Sequence, residues 1–174
     1  MEILYSECIN KIKQNKTKLE KALKVKLSFS KQDVLINGDA INEFIAAKVI
    51  EAIALGFTID KSLLLCNEDF ILEKINIKDL TKRRNLGVIR SRIIGTKGKT
   101  KEIIQNLINC FISLHDNTVG VIGSTEDIKK AMQALASLVH VAKQSRVYSY
   151  LERKRSKEKI KVSEDLGLKQ KKET

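Results

Sequence analysis

Proline and tryptophan are both missing from this chain of 174 residues, and rings are scarce, with five Phe and three Tyr. Aliphatic side chains must therefore do the packing, and at 43% hydrophobic residues there are enough to build one large or two small cores. Cysteine is scarce too. Cys8, Cys66 and Cys110 are odd in number, widely spaced and without a CxxC, which predicts reduced, mostly buried thiols in a cytosolic protein. His115 and His140, the only histidines, have no partner at ligand spacing. No secretory apolar segment opens the chain, and no run of about 18 apolar residues could span a membrane. Paired carboxylates, metal spacing and a nucleophile–base set are also lacking, which argues against a nuclease or modifying enzyme and implies no cofactor and no metal.

Acidic residues are the minority, 21 against 33 Lys and Arg, for a net charge of +12. The excess is clustered. Residues 11–31 hold eight Lys against Glu20, residues 78–101 hold nine basic residues against Asp79, and residues 152–174 hold nine against five. Everything else sums to −7. Clustered basic charge is the footprint of a polyanion, and the absence of a basic amphipathic anchor or lipidation signal disfavours a membrane surface.

The middle cluster carries the most informative stretch, Ile93-Ile94-Gly95-Thr96-Lys97-Gly98-Lys99-Thr100-Lys101. Two glycines at this spacing allow a tight turn with close backbone approach. A helix start follows, with Thr100 as a candidate cap and Ile103, Ile104, Leu107 and Ile108 at helical spacing. The N–H groups and positive dipole of a helix start suit a phosphate. Arg83, Arg84, Arg90 and Arg92 precede the turn.

A GxxG alone is weak, but its surroundings are specific. Residues 70–77 read as a strand, 82–94 as a helix, 110–114 and 118–122 as strands around a polar turn, and a long helix follows Ser124 with a stripe of Ile128, Met132, Leu135, Leu138 and Val139. The order β-α-GxxG-α-β-β-α resembles a type I KH domain, an α+β fold. In such a groove Gly95 and Gly98 would let N–H groups reach phosphates, with charge from Lys97, Lys99 and Lys101, a hydroxyl from Thr100, and Thr96 in the loop. Ile94, Ile103, Leu107, Ile112 and Leu114 would include the floor under the bases. The arginines would extend the track.

Residues 1–56 read as a worn copy of the same unit. The strand of residues 34–37 aligns with that of 118–122 at an offset of 85, pairing Val34 with Val119 and Gly38 with Gly123. Asp39 is placed to cap a helix with a stripe of Ile41, Phe44, Ile45, Val49 and Ile53. Where the second unit has Gly95 and Gly98, the first has Lys13 and Lys16 around Gln14 and Asn15. Positive φ is costly there, so the fold is expected to survive without the clamp. Residues 57–69, without proline and too apolar for a free linker, should pack between the units as a helical connector, so that two tandem KH domains, the first degenerate, behave as one. The KH unit with GxxG is expected over 70–155, and the Lys/Glu-rich tail 156–174 as frayed helix or disorder.

Two KH units of which the first lacks GxxG, together with RIIGTKGKTKEII, DNTVGVIG and VYSYLERKR, resemble the archaeal partner-of-Nob (Pno/Dim) family of ribosome-assembly factors. The resemblance covers nearly the whole chain and is most specific over residues 90–155. Ser91 departs from it, standing where the family often has Gly. It implies a cytoplasmic protein that binds single-stranded small-subunit rRNA near its 3′ end. The implied protein partners are the PIN-domain nuclease that trims that end and a translation initiation factor subunit. The residues alone leave open a general mRNA or small-RNA regulator and a protein-interaction scaffold.

Overall fold

Two antiparallel sheets of the same design carry the molecule, in a computed structural model that describes residues 2–5, 8–30, 33–81, 85–140 and 144–165. β1 (Glu2–Tyr5), β2 (Lys26–Ser30) and β3 (Asp33–Asn37) are ordered β1-β3-β2, and β4 (Ile71–Asn76), β5 (Phe111–His115) and β6 (Thr118–Gly123) are ordered β4-β6-β5. Their registers coincide. Val34 lies opposite Leu4 and Phe29, as Val119 lies opposite Ile75 and Leu114. The 85-residue offset is thus the structural alignment of the two hairpins.

Helices α1 (Ile9–Gln14), α2 (Lys16–Leu23) and α3 (Ala40–Ala54) build the first core with Ile12, Leu19, Ile36, Ile50 and Ile53. After α4 (Ile59–Ser62) and a 3-10 turn over Leu63–Cys66, the second unit adds α5 (Ile77–Leu80), α6 (Leu86–Ile94), α7 (Lys99–Ile108) and α8 (Thr125–Val139). Local chemistry sets their ends. The Asn85 side chain accepts the Val88 N–H and Ser124 accepts that of Asp127, so each caps a helix. Lys24 and Asn109, again 85 apart, close α2 and α7 in left-handed conformation. Asp39 stands at the cap of α3 without a side-chain hydrogen bond, and Glu43 instead accepts the Gly38 N–H at 2.9 Å.

The connector fills the junction. Phe57, Ile59, Ser62 and Leu65 are buried, and the first core extends to Ile122 of β6, with Phe70, Leu72 and Phe111 packed against it. Gly120 shows how close the approach is. A Cβ there would stand 2.9 Å from the Phe57 ring and 3.0 Å from Leu55 Cδ1. The outer face of the second sheet is therefore covered by the end of α3 and the connector. Ion pairs Lys18–Asp60 (2.6 Å) and Lys74–Glu51 rim the junction, and such exposed pairs add little.

Several expectations shift. Ile41 and Phe44 are 76% and 59% exposed, because at about 100° per residue they lie on the far side of α3 from Ala46, Val49, Ile50 and Ile53. Lys48 lies over the Phe44 ring at 4.2 Å. Of the cysteines only Cys110 is buried, with Cys66 exposed at the end of the 3-10 turn and Cys8 half-buried. The helix expected from residue 82 begins at Leu86, and 82–84 lie outside the described residues. A last helix, α9 (Gln144–Asp165), stays helical past Ser156. Its first half is anchored by buried Val147 and Leu151. Among the described residues no helix is long and apolar enough to cross a membrane.

Two outcomes follow from this packing. Phe57→Ala should cost about 3–5 kcal/mol in urea denaturation, as for a fully buried ring, and a loss below about 1 kcal/mol would show that the junction is not held there. Burial, helped by Asp127, pushes the Cys110 thiol up to about 12. At pH 8 a thiol reagent should therefore modify Cys66 in the folded protein and Cys110 only after unfolding.

Candidate nucleic-acid interface

The two loop glycines do different work. Gly95 ends α6, its N–H bonded to Ser91 O at 2.8 Å, and sits at φ 76°, ψ 174°, a conformation essentially closed to other residues. A Cβ on Gly95 would also collide with Thr100, at 2.1 Å from Oγ1 and 2.7 Å from the backbone nitrogen. Gly98 is left-handed at φ 80°, ψ 1°, yet a Cβ there would meet nothing within 4 Å. Lys97 between them is also left-handed, at φ 52°, which costs a residue with a Cβ about 1–2 kcal/mol. Gly98 N–H to Gly95 O (3.2 Å) closes the turn, and α7 starts immediately after it.

Thr100 is the brace behind this turn. It is buried, one residue inside α7 instead of at its cap, and Tyr148 of α9 donates its hydroxyl to Thr100 Oγ1 at 2.9 Å. The hydroxyl expected to meet a phosphate is thus committed to holding the loop. The sequence marks Tyr148 only as part of VYSYLERKR and not as the partner of Thr100, which lies 48 residues away.

Beside the loop, α6 and β5 flank a cleft of about 420 Å³ lined by Gly87, Arg90, Ser91, Ile94, Leu114 and Asp116. A shallower depression continues it past Asn85, Leu86 and Asn117. Arg90 lies in both and reaches Asp116 O at 3.4 Å across the mouth. Ser91 donates its hydroxyl to Gly87 O at 3.0 Å, so its side chain is tied to the helix wall. Ile94 is 38% exposed, an apolar surface at the edge of the cleft.

The residues expected to form the site therefore divide. Arg90, Ile94, Gly95, Thr96, Lys97 and Gly98 gather at the cleft and loop, with Lys99 exposed in the first turn of α7. Lys101 is half-buried, and burial together with the nearby Lys61 holds its ammonium below the usual lysine range. Ile112 lies in the core, not on a groove floor, because its strand position points under α7, where its N–H meets Gln105 Oε1 at 2.7 Å. Arg92, two residues after Arg90, projects about 200° further round α6 and away from the cleft. Arg83 and Arg84 lie outside the described residues. Gly87, which opens the helix side of the cleft, was missed, since a lone helix glycine carries no sequence signal of its own.

In the first unit the corresponding turn has no left-handed residue. Asn15, at φ −109°, separates α1 from α2 and ties back to Lys11 O through its side chain. The Lys13 and Lys16 ammonium groups lie 5.6 and 5.9 Å from the centre of the Phe29 ring, which holds the place Leu114 has in the second sheet.

Comparison with known proteins agrees with this geometry. The crystal structure of Dim2p from Pyrococcus horikoshii is 31% identical, with a TM-score of 0.79, over 87% of this chain and 98% of that one. The chain belongs to the Pno/Dim family of KH proteins. The family model for the second KH domain of PNO1, described as a eukaryotic-type KH domain (KH-domain type I), matches residues 71–156. Another Pno/Dim structure, from a complex of a/eIF2alpha, aDim2p and rRNA of the same organism, has a TM-score of 0.80 at 30% identity, covering 90% of this chain and 94% of that one. A KH domain-containing protein of Methanocaldococcus jannaschii is 32% identical over 82% of this chain and 66% of its own length. RNA-binding protein PNO1 of Oryzias latipes is 34% identical over 59% of this chain and 44% of its length. The chain thus spans just under two thirds of the first relative and under half of the second.

The loop geometry separates the glycines experimentally. Gly95→Ala should lose about 2–5 kcal/mol, from backbone strain plus the clash with Thr100, whereas Gly98→Ala should lose about 1–2 kcal/mol from φ alone. Equal losses in thermal or urea unfolding would show that Thr100 does not wedge the turn.

Proposed function

We propose that the protein binds single-stranded RNA through the cleft of its second KH unit, with the backbone clamped at Gly95–Gly98. The observation that carries this is the conjunction of a glycine-only turn, an exposed lysine at its apex, and a half-apolar cleft bridged by Arg90. The RNA is small-subunit rRNA near its 3′ end during ribosome assembly. Supporting that choice, PNO1 of Phaeosphaeria nodorum is named a pre-rRNA-processing protein, and a related Dim2 protein was crystallised with rRNA and a/eIF2alpha. The protein partners are the PIN-domain rRNA-maturation nuclease and the initiation factor subunit, met in the cytoplasm. The role is binding, not catalysis, in keeping with relatives named as RNA-binding proteins.

The test keeps the fold and changes the charge. Thr96→Asp with Lys97→Asp leaves both glycines and the cleft in place, and takes the local charge from +1 to −2. At roughly 5 Å and an effective dielectric of about 20–80, each carboxylate repels a phosphate by about 1–3 kcal/mol. RNA affinity, measured by fluorescence anisotropy, should fall at least about tenfold. Gln14→Asp with Asn15→Asp in the first unit should do much less. No loss at Thr96/Lys97 removes the clamp, and equal losses place RNA on the first unit as well. Salt gives an independent readout. With about four to six phosphates engaged, log K against log salt should slope at about −3 to −4, and a slope near zero would exclude electrostatic clamping.

A further inference from the structure

α9 has a solvent face outside the cleft, on which the Tyr150 hydroxyl donates to Gln133 Oε1 of α8 at 3.5 Å. At about 100° per residue, Arg146, Tyr150, Arg153 and Lys157 fall in one line along it, opposite the side that carries buried Val147 and Leu151 and half-buried Tyr148. The line is about 16 Å long, at 1.5 Å per residue. Tyr150 is 46% exposed, and an opening of about 340 Å³ beside it is lined by Ser145, Arg146, Ser149, Tyr150 and Arg153. Lys154 lies over the same ring at 5.2 Å and reaches Gln133, on the side of the helix away from the opening. Among the described residues neither Arg146 nor Arg153 has a carboxylate partner. The Tyr148 hydroxyl bond to Thr100 sets this helix beside the loop at Gly95–Gly98.

We propose that this face of α9 is a second contact for the same single-stranded RNA, taking the segment that continues past the clamp. The inference rests on the RNA-binding role given above. Arginines at spacings of four and three residues flank an exposed ring. This suits phosphates on the guanidinium groups and a base stacked on Tyr150, since base–aromatic stacking with a cationic groove is how single strands are held without sequence readout. An acidic protein surface would use the arginines and gain little from the open ring side. α9 contributes five basic residues against Glu152 over residues 144–157, so the charge favours a polyanion.

The experiment uses the full chain and fluorescein-labelled, randomised single-stranded RNAs of five and twelve nucleotides. Arg146→Glu with Arg153→Glu should weaken the twelve-nucleotide RNA at least about tenfold, and Tyr150→Ala at least about fivefold, while leaving the five-nucleotide RNA within about twofold. Tyr150→Phe keeps the ring and should bind as the parent protein does. All three positions are exposed and the Tyr150 variants give up only a long, exposed bond to Gln133, so thermal unfolding should move little, and Tyr150→Phe tests the ring even if the double variant folds poorly. An unchanged twelve-nucleotide affinity overturns the proposal, with a protein partner or none on this face. Equal loss on both RNAs also overturns it, because that pattern means the loop was disturbed through Tyr148. If Thr96→Asp/Lys97→Asp has no effect while the α9 variants weaken the long RNA, the clamp fails and the α9 surface stands.

Discussion

The missing Cβ of Gly95 is the constraint from which the rest of the site follows. Thr100 occupies that space from the first turn of the next helix, and Tyr148 holds Thr100 from a helix in the last part of the chain. Only with this stack in place can α6 end and α7 begin across just four residues, so that a helix start and its unpaired N–H groups open directly onto the loop. The left-handed Lys97 at the apex is held in a conformation it would not choose alone, and the two glycine turns around it supply the confinement. The geometry of the loop is thus inherited from packing behind it.

Much of the fold was legible because it rests on local patterns. The β-rich segments of β5 and β6 around a polar turn, the Ser124 cap, and the 85-residue repeat linking Val34 to Val119 are all written in consecutive residues, and the sheet registers repeat them. The site was half legible. Gly95, Lys97 and Gly98 belong to a short motif, and Arg90 precedes it by little more than one turn. What stayed hidden depended on angle or on distance along the chain. Arg92 is a near neighbour of Arg90 in sequence but its opposite around a helix, and Ile112 fits an apolar floor by composition but turns inward by strand alternation. Ile41 and Phe44 match a helical period yet face away from the core, because a period does not say which side is inside. Tyr148 needed a contact across 48 residues, which no local pattern records.

The first unit shows what happens when a fold is kept and its special turn is not. Its sheet order, its fifteen-residue closing helix and its left-handed helix cap match those of the second unit. The turn differs, with Asn15 at negative φ and two lysines drawn onto Phe29. With lysine where the second unit has glycine, the turn lacks that conformation while the core is kept, because the turn lies outside it.

The same unit is held to account from another direction. Phe57 and Leu55 press on Gly120 in the central strand of the second sheet, on the face opposite the cleft. Seen from the half that carries the cleft, the first unit is a wall as much as a domain. Freedom to vary should therefore be partitioned by surface and not by unit. The turn at residues 13–16 can drift with little structural consequence, while a methyl group added at Gly120 would press on Phe57 and Leu55 and force the junction between the two halves to shift.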